Sequence, residues 1–146
     1  GFTSASKNII DMLRQRSRPY LFSNSLAPSI VSASIAAITL IENDKSLLNA
    51  VKNNTTYFRE NIVSIGYNIK EGDHPIVPIM LGDAKLAQNL SKLMLQKGIY
   101  VIGFSFPVVP KNEARIRVQI SAGHSKNQIN QAIDAFQECG KSLNII

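Results

Sequence analysis

Residues 114–120 read Ala-Arg-Ile-Arg-Val-Gln-Ile. The alternation has the period of a β-strand, in which successive side chains point to opposite faces. It puts Ile116, Val118 and Ile120 on one face and Arg115, Arg117 and Gln119 on the other. The apolar face has to cover helices. The other face offers two guanidinium groups beside a polar loop, Ser121 to His124. A guanidinium suits a carboxylate, because its fork donates two parallel hydrogen bonds. The same pattern also describes a solvated strand face that carries arginine for solubility. Spacing alone leaves both readings open.

C-terminal to this strand, Ser125 and Gln128 have the spacing of a capping box. The helix they start runs through Ile129, Ile133 and Phe136. On the N-terminal side, Phe106 to Lys111 is a proline-bearing loop and Ile99 to Phe104 a strand. Gly98 closes a helix that Asp83 caps and that carries Leu86, Leu90, Leu93 and Met94. Ile76 to Leu81 is an apolar strand, and Tyr67 to Ile69 a shorter one. Asp44 is placed to cap a long helix with Leu47, Leu48, Val51, Phe58 and Ile62 at helical spacing, closed by Gly66.

The first part of the chain has a different character. Ser4 to Arg16 reads as a helix ended by Pro19, because the residue before proline avoids the helical region. Tyr20 to Phe22 reads as extended, and Ser23-Asn24-Ser25 as a polar loop. Pro28 opens a helix to about Ile41 that is rich in Ala and Ser. Hydroxyls and N–H groups ahead of a helix suit an anion such as phosphate. Simple capping by Ser25 is the plainer reading of the same residues.

The order, helices first and then strand, strand, helix, strand, strand, helix, predicts an α/β chain ending in a two-layer α+β domain, with helices on one face of a small sheet. The boundary is expected at Asn43 and Asp44: residues 1–43 as the end of one domain, 44–146 as a second.

Composition narrows the function classes. The chain has 146 residues, 45% hydrophobic and 18% charged, enough apolar content for a packed core rather than disorder. The net charge is +6, but its lysines and arginines are dispersed, and the densest cluster is only Arg14, Arg16 and Arg18. A basic module for nucleic acid or an acidic partner has no other support, because no zinc-knuckle spacing and no aromatic-basic RNA motif occurs. No apolar stretch reaches the ~18 residues of a membrane span. The one cysteine, Cys139, excludes an internal disulfide and reads as a structural thiol. His74 and His124 lack metal-ligand spacing and read as loop-stabilising, so no metal site is expected.

Longer strings are more specific than any of these. They are RQRSRPYLFSNSLAP at residues 14–28, DHPIVPIMLGD at 73–83, GIYVIGFSFPVVPK at 98–111 and ARIRVQISAGH at 114–124. Together, and in this order, they resemble the C-terminal portion of the α-oxoamine synthase family, within the fold-type I pyridoxal-phosphate enzymes. The resemblance covers the whole chain. It is strongest to the members that condense glycine with acetyl-CoA. The 5-aminolevulinate and 8-amino-7-oxononanoate synthases share the architecture but differ in these strings.

The resemblance implies a fold in which residues 1–43 end the large cofactor-binding domain and 44–146 form the small C-terminal domain. It implies that Arg117, the second arginine of the RIR string, binds the carboxylate of the amino-acid substrate. It implies that Ser23, with Asn24 and Ser25 beside it, contacts the phosphate of pyridoxal 5'-phosphate in the active site of a partner subunit, so that the enzyme is a homodimer with its sites at the interface. The family lysine that forms the Schiff base precedes the Gly-aromatic-Thr sequence, here Gly1-Phe2-Thr3, and is expected just upstream of Gly1. No catalytic residue is therefore expected within these residues, and they should be inactive alone. A cytoplasmic enzyme, or a mitochondrial one in a eukaryote, is the expectation that follows.

Overall fold

The strand read from its alternation lies at the centre of the sheet. In a computed structural model that describes residues 2–146, β1 (Ile76–Gly82), β2 (Ile102–Phe104) and β3 (Ala114–Gln119) form a three-stranded sheet in the order β1-β3-β2. Both pairings are antiparallel. β3 faces Val77 with Val118 and Ile79 with Ile116 across one pairing, and Ile102 with Arg117 and Phe104 with Arg115 across the other. Register fixes the faces. Val77, Ile79, Ile116 and Val118 point one way and are buried. Pro78, Met80, Ile102, Phe104, Arg115 and Arg117 share the opposite face.

The chain divides into two compact units, one reaching to Asp44 and the other beginning at Lys45. The sheet belongs to the second, with α4 (Ser46–Ser64), α5 (Ala84–Gln96) and α6 (Lys126–Ser142). Phe58 and Ile62 of α4, Leu90 and Met94 of α5, and Ile129 and Phe136 of α6 meet the buried sheet face in one core. Caps set two of these helices. The Asp83 carboxylate accepts from the Leu86 N–H, and Ser125 and Gln128 close a reciprocal capping box. Gly103 lets β2 sit hard against α5, for a Cβ there would stand 3.0 Å from the Ala87 carbonyl oxygen.

The first unit holds α1 (Lys7–Arg16), α2 (Arg18–Phe22) and α3 (Pro28–Asn43), none of which has a buried residue. Ile30, Ile35, Ile38, Leu40 and Ile41 of α3 are all exposed.

Several local expectations are corrected. Tyr20 to Phe22 is helical, not extended. Pro19 stands in the first turn of α2, where a missing N–H costs nothing, so it starts one helix after another has ended. Ser25 does not cap α3; Ala27 holds the N-cap position and makes no side-chain cap bond. Asp44 is the C-cap of α3, and Lys45 occupies the N-cap of α4. The strand expected at Tyr67 to Ile69 reduces to one bridge between Ile69 and Ile79. Tyr67 instead turns inward, donates to the Phe136 carbonyl at 2.8 Å and meets the Phe136 ring edge-on.

Burial pushes the Tyr67 hydroxyl above its ordinary pKa of 10, with a smaller push from Cys139. The raised value fixes the sign of a pH effect. The unfolded chain ionises first, so the contribution is complete below pH 10 and is lost as pH climbs from there toward the folded value. Tyr67→Phe should cost roughly 1 kcal/mol at pH 8 for the lost hydrogen bond. Denaturant unfolding should show the gap between the two proteins narrowing above pH 10. A gap constant from pH 8 to 11 would show that Tyr67 ionises as freely folded as unfolded.

Candidate functional site

Two arginines share the sheet face turned away from the helices, but they are not equivalent. Arg115 is buried and already satisfied. Its Nε donates to the Glu113 carbonyl at 2.9 Å, and one terminal N–H group pairs with the Glu113 carboxylate at 2.7 Å. The short spacing explains the pairing: Glu113 stands at the turn immediately before β3, within one strand pleat of Arg115. The expected pair of available guanidiniums therefore reduces to one.

Arg117 is that one. It is exposed, and among the described residues it takes part in none of the ion pairs. Its guanidinium carbon lies over the Phe104 ring, 4.3 Å from the centroid. It lines a cleft of about 710 Å³ with Phe104, Tyr100, Gln119, His124 and Gln128. The polar loop beside it is fixed from two sides. The His124 Nδ1 accepts from the Ser121 N–H at 3.2 Å. The Asn54 amide, on α4, donates to the carbonyls of Ser121 and His124 at 3.0 and 2.9 Å. His124 thus holds its loop, as its isolation in sequence suggested. His74 does likewise, accepting from the Ile76 N–H at 3.1 Å.

Ser23, Asn24 and Ser25 lie in the first unit, contiguous and exposed. The N–H groups of Ser23 and Asn24 both turn back to the Pro19 carbonyl. Their side chains make none of the protein hydrogen bonds among the described residues, which leaves two hydroxyls and an amide available to an anion's oxygens. That donor chemistry fits a phosphate group. No group of three or more metal-ligating side chains occurs among the described residues. Cys139 is buried, and desolvation pushes its thiol up, away from the reactive thiolate.

Three contributors escaped the sequence reading. Phe104 carries the right period on β2, but nothing in a lone aromatic shows which cation will lie on it. Glu113 is visible only once the turn before β3 is folded. Asn54 is a polar residue on the inner side of a helix, a detectable signal whose partner lies 67 residues away in sequence.

The small α/β unit thus presents one free arginine on its open sheet face, and the helical segment that precedes it in sequence carries a polar Ser-Asn-Ser loop. The family model for aminotransferases of class I and II matches residues 1–136. The chain belongs to that family. It is 49% identical over its whole length to 2-amino-3-ketobutyrate coenzyme A ligase of Salmonella typhimurium, of which it covers 37%. It is 36% identical, again over its whole length, to 8-amino-7-oxononanoate synthase of Thermoanaerobacter pseudethanolicus, of which it covers 37%. Among solved structures, a serine palmitoyltransferase of S. paucimobilis with PLP and myriocin bound superposes with a TM-score of 0.86 at 26% identity, over 93% of this chain and 35% of that one. The chain spans little more than a third of the length of these relatives.

Proposed function

We propose that the chain is the C-terminal part of a pyridoxal-phosphate-dependent acyltransferase that condenses glycine with acetyl-CoA, giving 2-amino-3-oxobutyrate and free coenzyme A. The observation that carries the reading is the inequality of the two arginines. Glu113 neutralises Arg115, and Arg117 keeps both its charge and its donors on an open face. Similarity points the same way, being 49% to the coenzyme A ligase against 36% to the oxononanoate synthase.

Pyridoxal phosphate, when bound, supplies an electron sink for negative charge at the glycine Cα. The residues of this chain do the positioning. Arg117 takes the glycine carboxylate in its fork and so fixes which Cα bond is turned for reaction. Ser23, Asn24 and Ser25 donate to the cofactor phosphate, in this reading within the active site of the second subunit of a homodimer. The cofactor-binding lysine is assigned to none of the residues of this chain, so the chain is not expected to act alone. No helix of the described residues is long and apolar enough to cross a membrane. The reading places the enzyme in the cytoplasm, or in the mitochondrion of a eukaryote.

The test is glycine-dependent release of coenzyme A by the complete enzyme. Acetyl-CoA should be the preferred donor, by roughly tenfold or more in kcat/KM over succinyl-CoA and pimeloyl-CoA, whose acyl chains are longer and end in a carboxylate, since one added methylene alone allows discrimination of about that size. Preference for either longer donor would move the protein to another branch of the family. No glycine-dependent release with any of them, together with salt-sensitive binding to nucleic acid, would favour a basic binding module.

A further inference from the structure

We propose that Phe104 is the positioning residue for Arg117, a ring on which the carboxylate-binding guanidinium rests. This inference relies on the substrate role of Arg117 given above. Register puts the two on the same sheet face: Ile102 stands opposite Arg117 and Phe104 opposite Arg115, so Phe104 is the diagonal neighbour of Arg117. Diagonal pairs on one face are within reach of aromatic and long side chains. Here the guanidinium carbon comes to 4.3 Å from the ring centroid.

The chemistry of the contact suits the task. Glu113 holds Arg115 by taking its donors and cancelling its charge. A ring does neither. A guanidinium stacked on an aromatic face keeps its charge and leaves its in-plane N–H edge free for a carboxylate. It also gives up much of its rotamer freedom before the substrate arrives, which lowers the ordering cost of binding. The ring is itself held. Gly103, the preceding residue, points to the other face, where its lack of a side chain lets β2 rest against Ala87 of α5. Ser91 of the same helix donates its hydroxyl to the Val101 carbonyl at 2.6 Å, just before β2 begins. β2 is thus seated on α5 through Val101 and Gly103, while the Phe104 ring faces the cleft.

The experiment is steady-state kinetics of the complete enzyme with Phe104→Leu, Phe104→Met, Phe104→Tyr, Arg117→Ala and the double variant Phe104→Leu/Arg117→Ala. Phe104→Leu should raise the glycine KM roughly 2- to 5-fold, the range that an exposed cation–π contact allows, with the acetyl-CoA KM unmoved. Phe104→Tyr keeps the ring and should restore the glycine KM. In the Arg117→Ala background, loss of the ring should add nothing. Should Phe104→Leu not fold, Phe104→Met keeps the bulk without the ring and carries the same expectation. If Arg117→Ala raises the glycine KM and the ring variants do not, this proposal alone is wrong. If loss of the ring raises the KM by the same factor with and without Arg117, Phe104 acts by another route and the proposal is again wrong. If Arg117→Ala itself leaves the glycine KM unchanged, the substrate role beneath it has failed.

Discussion

Arg117→Ala in the complete enzyme should raise the KM for glycine by roughly 30- to 1,000-fold, with the KM for acetyl-CoA little changed. The magnitude follows from what the substitution removes. A charge-assisted hydrogen bond contributes about 1.5–3 kcal/mol; the two of a bidentate pair share one geometry and do not add in full, so about 2–4 kcal/mol is lost, and each 1.4 kcal/mol is about tenfold. Arg115 cannot substitute. It is buried, and its donors are committed to the Glu113 carbonyl and carboxylate. Arg117→Lys should fall between the wild type and the alanine variant, because an ammonium keeps the charge but not the fork. Arg115→Ala is expected to act differently. It should loosen the turn from Pro110 to Glu113 and lower stability, with a smaller effect on the glycine KM. Equal KM effects for Arg115→Ala and Arg117→Ala would mean that the two arginines share the substrate.

Gly140→Ala should destabilise the fold by about 1–3 kcal/mol, although alanine is the better helix former by about 1 kcal/mol. The space decides the sign. Gly140 lies inside α6, where a Cβ would overlap the Tyr67 hydroxyl, stand 2.9 Å from the carbon that bears it and 3.0 Å from Ile146. The Tyr67 ring has little room to yield, being buried, packed edge-on against Phe136 at 5.6 Å and bonded to the Phe136 carbonyl. Overpacking of this kind costs roughly 1–3 kcal/mol, and the displaced hydrogen bond adds about 1 more. Thermal or denaturant unfolding measures it. Tyr67→Phe removes the overlapping oxygen, so the double variant should recover part of the loss. A neutral or stabilising Gly140→Ala would show that the ring moves aside freely.

The elements legible in the sequence were those whose local rules and burial agree. β3 alternates because one of its faces is covered. α5 and α6 carry their caps in the sequence, and the Asp83 cap and the Ser125–Gln128 box both form. The misreadings lie where one residue type serves two ends. Proline at position 19 disfavours a helix before it and suits one after it, and the expectation from sequence carries only the stop. Tyr67 looks like a strand residue until the small Gly140 opposite it opens a place inward, 73 residues further along the chain. At the site, alternation offers Arg115 and Arg117 alike, only the resemblance of the RIR string separates them, and the fold commits Arg115 to Glu113. Alternation gives the face that a side chain occupies, not the partner that a neighbouring turn will bring to it. Phe104 was invisible for the same reason, since its partner is set by strand register, which no single strand carries.

The central claim is that Arg117 recognises a carboxylate. It is tested most directly by comparing the affinities of glycine and methylamine, which differ only in that group, for the complete enzyme with and without Arg117→Ala, read from the absorbance of the bound cofactor. The account predicts that the wild type favours glycine by roughly 30-fold or more and that the variant loses most of that preference while binding methylamine as before. A preference for glycine that survives in the variant would contradict it.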